Sequence, residues 1–91
     1  MDVRLLICWH PGDTFQATVI AVGVGRGWHK MYPSKRECVN DLCRIGLLTL
    51  IERFDVMQRD FDINERMLVI PTIAEAKALQ NAGFVESTPK S

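Results

Sequence analysis

Cys8 and His10 stand two residues apart in the run from Val3 to His10, so a strand through this run would point both to one face. A thiol beside an imidazole has the makings of a nucleophile and its base, or of two ligands to a metal. Neither chemistry is complete in the sequence. The other residues of these types are His29, Cys38 and Cys43; the last two lie five apart, about 140° around a helix, and no Cys-x-x-Cys pair occurs. Asp60, Asp62 and Glu65 flank a polar turn, but no glycine lies between Gly46 and Gly83 to make the bend that a calcium loop needs. The expectation is no bound metal and no cofactor. Asp13 follows Pro11 and Gly12, and turn formation accounts for it.

The stretch from Gly23 to Arg36 has a different character. Glycines at 23, 25 and 27 precede Trp28, His29, Lys30, Met31, Tyr32, Pro33, Ser34, Lys35 and Arg36, and the stretch holds four of the eleven basic residues and no acid. Cations neutralise a phosphate backbone and aromatic faces hold unpaired bases, so Arg26, Trp28, His29, Lys30, Tyr32, Lys35 and Arg36 form the candidate binding set. Ser34, as cap of the following helix, would leave N–H donors facing an anion. The competing reading is structural: the glycines extend a hairpin, the rings pack over the sheet and the charges are solvated. The glycine spacing matches neither the dinucleotide fingerprint nor the phosphate loop.

These residues must be positioned by a single domain, since 91 residues leave no room for a second. A composition that is 47% apolar and 24% charged is that of a globular chain. Eleven bases cancel eleven acids, but residues 1–46 carry six bases against four acids, and residues 47–91 carry five against seven. The apolar run Leu5 to Trp9 is far shorter than the roughly 20 residues of a membrane helix, and an odd, small number of cysteines fits reduced thiols. The expectation is a cytoplasmic protein without a membrane partner.

Two strands, Val3 to His10 and Thr14 to Val22, are joined by a tight turn. On the first, Val3, Leu5, Ile7 and Trp9 share one face and Arg4, Leu6, Cys8 and His10 the other. Both faces are partly apolar, which places this strand inside a sheet. Capping boxes at Ser34 to Glu37, Thr49 to Glu52 and Thr72 to Glu75 mark three helix starts. The first helix, about Lys35 to Ile45, buries Cys38, Val39, Leu42 and Cys43 and stops at Gly46. The second, near Leu50 to Arg59, continues a helical stripe through Leu47, Leu50, Ile51, Phe54, Met57 and Phe61. Met67 to Ile70 reads as a strand, the third helix runs from about Pro71 to Ala82, and Phe84 and Val85 offer a last short strand. Residues 87–91 read as a frayed tail. The segments after Leu42 and after Leu79 share one helix-stop device, a glycine followed by apolar residues.

The sum is an α+β, two-layer sandwich: one sheet of about four strands covered by three helices, in the order ββααβα(β). With a full set of folding signals and no catalytic motif, the function expected is a binding or regulatory module acting through protein–protein contact or self-association. Nucleic-acid binding through 23–36 is the first alternative. A small enzyme or ligand binder using Cys8, His10 and His29 is the second, without enough catalytic equipment to assign it.

Overall fold

β1 (Asp2–His10) buries Val3, Leu5 and Ile7 and sends Arg4, Leu6, Cys8 and His10 to the other side. This alternation is the period of a strand with two distinct faces. The computed structural model describes residues 1–10, 12, 14–61 and 67–87. β1 pairs antiparallel with β2 (Thr14–Ala21), from Val3 opposite Ala21 to His10 opposite Thr14. On its other edge it pairs with β4 (Met67–Ile73), with Leu5 opposite Ile70. The strand does lie inside the sheet, as its two apolar faces imply.

The chain from Gly23 to Arg36 is not one basic loop. Gly23 and Gly25, at φ +80° and +65°, turn the chain back, and the Ala21 N–H donates to the Arg26 carbonyl at 2.9 Å. β3 (Gly27–Tyr32) then pairs with β2 and, on its far edge, with the short β5 (Val85–Ser87). The sheet therefore has five strands, all antiparallel to their neighbours, in the order β4-β1-β2-β3-β5. The extra strand escapes a reading by polarity because its inward residues are Trp28, Lys30 and Tyr32, with a cation in the middle.

α1 (Lys35–Arg44) begins at Ser34, whose Oγ accepts from the Glu37 N–H, and buries Cys38, Val39 and Leu42 against the sheet. It ends in a Schellman motif: the Gly46 N–H donates to the Cys43 carbonyl and the Leu47 N–H to that of Leu42, at 3.1 and 2.8 Å. Gly46 takes φ +83°, and Leu42 and Leu47 are both buried. α3 (Ala76–Asn81) ends the same way, with Gly83 bonded to Gln80 and Phe84 to Leu79. The shared stop device in the sequence is thus one backbone motif used twice.

Two expectations about helices are corrected. The third helix starts at Ala76 and not at Pro71; Thr72 belongs to β4, and Glu75 caps α3 without a side-chain bond. Pairing of Asp2 with Ile73 extends the ladder past Pro71, and the proline fits because β4 is an edge strand. As a result β4 and β5 run in the same direction at opposite edges of the sheet and are not neighbours. The apolar stripe of α2 (Leu50–Gln58) faces away from the core: Leu50, Ile51 and Phe54 are 79%, 77% and 62% exposed, and only Val56 is buried. Of that stripe Leu47 is buried, but from the loop before the helix, together with Leu48. Phe61 lies beyond the helix, edge-on to Phe15 at 5.5 Å.

α2 has the full capping box at its start: the Glu52 N–H donates to Thr49 Oγ1 at 3.1 Å, and the Thr49 N–H donates to Glu52 Oε1 at 2.8 Å. Because the helix buries so little, this cap carries much of its order. Thr49→Ala is expected to cost about 1 kcal/mol, read by urea denaturation, with local amide exchange in residues 50–58 rising more than elsewhere.

All three helices lie on one side of the sheet, a two-layer α+β arrangement in which no other described element covers the opposite sheet face. Among the described residues, no helix is long and apolar enough to cross a membrane.

Candidate functional site

The seven residues picked out between Arg26 and Arg36 are dispersed by β3. Trp28 and Tyr32 point inward and are 0% and 5% exposed, so neither ring can stack on a base. Arg26 lies over the Trp28 ring at 4.9 Å and grips Glu86 through Nε and Nη2, both at 3.0 Å. That two-point grip raises the guanidinium pKa and, from the other side, lowers that of Glu86. Lys35 reaches across to the end of α2, donating to the carbonyls of Met57 and Arg59 at 3.2 and 2.8 Å. A cation there answers the negative end of the helix. Arg36 is exposed on α1, and His29 stands on the open sheet face with Nδ1 3.3 Å from Ser87 Oγ.

Lys30 is the cation on the inner face of β3. Its Nζ donates to Asp41 Oδ2 at 3.0 Å and to the Ala82 carbonyl at 2.8 Å, and lies 4.9 Å from the Tyr32 ring centre. The Tyr32 hydroxyl donates to the same Oδ2 at 2.7 Å, while Arg44 donates to Oδ1. Asp41 thereby joins β3, α1 and, through Lys30, the end of α3. Burial alone would push the Asp41 carboxyl up, but the donors Tyr32, Arg44 and Lys30 outweigh it and hold it below the usual carboxylate range. Burial first, then donation to Asp41, keeps the Tyr32 phenol protonated far above its usual range. Burial and the Asp41 charge push the Cys38 thiol up to about 12, so it is an inert core filler. A shallow groove runs past this cluster, with Glu37 bonded to Ser34 and Asn40 to Arg53 along it. The cluster is a clamp between layers.

The open sheet face gathers a different set. Across its rows it carries Met67, Cys8, Gln16 and Met31; then Val69, Leu6, Thr18, His29 and Val85; then Pro71, Arg4, Ile20 and Gly27. Met31, Ile20, Val69, Met67 and Val85 are all exposed. Among the described residues, Asp2 and Arg4 are the only side chains on this face with a formal charge. Cys8 and His10 are on it together, with Sγ and Nε2 3.5 Å apart, both half-buried. His29 lies on the same face but two strands away, so the three do not form one pocket. No group of three or more His, Cys, Asp or Glu side chains able to hold a metal occurs among the described residues. Asp13, Asp62 and Glu65 lie outside the described residues. The signal for this face was the shared parity of Arg4, Leu6, Cys8 and His10; nothing local announced the partners that β2, β3 and β4 add beside them.

The fold and this face define a two-layer α+β domain with one side that no other described element covers. No family model, no curated protein and no solved structure matches the chain.

Proposed function

We propose that the chain is a binding module that associates with a second copy of itself through the open face of its sheet. The observation that carries this reading is the sparseness of charge there. Interface centres are depleted in charged residues, and among the described residues this face has only Asp2 and Arg4 where the whole chain is 24% charged. Those two charges are opposite in sign and adjacent along β1, so a like face meets no net repulsion.

Area and edges favour the same occupant. The strands cover roughly 500 Å² in projection at about 4.8 Å spacing and about 3.3 Å rise, and projecting side chains raise the accessible area toward the roughly 800 Å² per partner of a stable complex. Pairing edge to edge is a poor alternative: β4 carries Pro71, and β5 is three residues long. Sheets that stack face to face sit about 10 Å apart at about −30°, and an isologous two-fold arrangement closes the assembly at two copies. The exposed stripe of α2 is a smaller rival, three side chains bordered by Glu52 and Asp55.

Sedimentation across a concentration series tests the reading. The protein is expected to be a dimer in the micromolar range, and Ile20→Glu or Val69→Lys to be a folded monomer whose melting temperature, unlike that of the parent, does not change with concentration. A monomer throughout, or a dimer that survives Ile20→Glu and is lost in Phe54→Glu, rejects it.

A further inference from the structure

We infer that Cys8 and His10 are one half of a tetrahedral zinc site that a second copy of the chain completes. The inference rests on the self-association proposed above. Zinc binds thiolate sulfur at about 2.3 Å and imidazole nitrogen at about 2.0–2.1 Å, and at the tetrahedral angle these lengths set the two ligand atoms about 3.5 Å apart. Cys8 Sγ and His10 Nε2 stand 3.5 Å apart. The strand fixes this spacing, since both residues leave the same side of β1 two positions apart, and the ladder with β2 holds Cys8 opposite Gln16 and His10 opposite Thr14. A pair on a strand is stiffer than a pair on a loop, so little ordering is needed to bind the ion.

Among the described residues one chain offers two ligands at this point, where a closed zinc site takes four. Sheets stacked at about −30° about a two-fold axis that passes over Cys8 and His10 bring each pair against the same pair of the other copy. The result is a Cys₂His₂ set at the interface, on the face with few charges to compete for the ion. Without metal the same pair is a thiol–imidazole contact. Zinc displaces the thiol proton on binding, so affinity falls at acidic pH.

The test uses the full chain, reduced and freed of metal, titrated with zinc and separately with cobalt(II) as a spectroscopic probe. One ion per two chains is expected, with the strong visible bands of tetrahedral cobalt and a thiolate-to-cobalt charge-transfer band. Zinc should tighten the dimer at least tenfold. Cys8→Ser and His10→Asn should each abolish the cobalt spectrum and the zinc-dependent tightening. A metal-free dimer on which zinc has no effect, one ion per chain, or a cobalt spectrum without the thiolate band overturns the zinc site and leaves the dimer standing. A chain that is monomeric with and without metal overturns both. A dimer that forms only without reductant, linked through Cys8, replaces coordination by a disulfide and overturns the zinc site.

Discussion

Trp28→Ala is expected to lower the stability of the chain by about 3–5 kcal/mol, a large part of the roughly 5–15 kcal/mol available to a domain of this size. Trp28 is the largest fully buried side chain. It sits on the inner face of β3, opposite Val19 and Glu86, under the Arg26 guanidinium, so its removal opens a void that strands on both sides and the Arg26–Glu86 pair cannot fill. Its Nε1 finds no acceptor among the described residues. Trp28→Phe removes that orphan donor and keeps a ring in place, so it is expected to cost much less than alanine. Urea denaturation followed by circular dichroism reads both. Were Trp28→Ala as stable as the parent and deficient in single-strand binding, the ring would be a stacking platform and its burial would be wrong.

Asp41→Ala is expected to cost about 2–3 kcal/mol, because it leaves the Tyr32 hydroxyl without its acceptor and the Lys30 ammonium without its counter-charge, held by the Ala82 carbonyl alone. The value falls below that for breaking a fully buried pair since the Lys30 and Asp41 side chains keep 28% and 15% of their exposure. Stability should depend on pH at both ends. Asp41 is depressed in the folded chain, so the unfolded chain takes up its proton first, and this contribution is lost as pH falls below about 4. Tyr32 is raised in the folded chain, so the unfolded chain gives up its proton first, and stability is lost as pH climbs above about 10. Melting temperatures across pH should show the acid loss reduced in Asp41→Asn and the alkaline loss reduced in Tyr32→Phe. Unchanged profiles in both variants would remove the clamp from the account.

What the sequence showed well was whatever is written locally. Gly46 and Gly83, each followed by apolar residues, stop α1 and α3, and Thr49 with Glu52 starts α2. The parity of β1 announced a two-faced inner strand. What it hid depends on pairing between distant segments. Lys30 looked like part of a basic loop until the register with Ala17 turned it inward, beneath Asp41 and the end of α3. Thr72 looked like a cap until pairing with β1 drew it into β4. The stripe of Leu50, Ile51 and Phe54 has the spacing of a buried face, yet spacing says only that the three share a side, and the side is set by which residues α1 leaves room for. The open sheet face was half visible, since Leu6, Cys8 and His10 could be grouped, while Ile20, Met31 and Val69 join them only through the ladders.

Self-association through that face is the claim on which the functional account depends. The most direct measurement is the set of backbone amide shifts of the native chain, recorded from high to low concentration in the presence of reductant. The account predicts that dilution moves the signals of Leu6, Thr18, Ile20, His29 and Val69 together and leaves those of Leu50, Ile51 and Phe54 in place. Movement confined to α2, or no movement at any concentration, would contradict it.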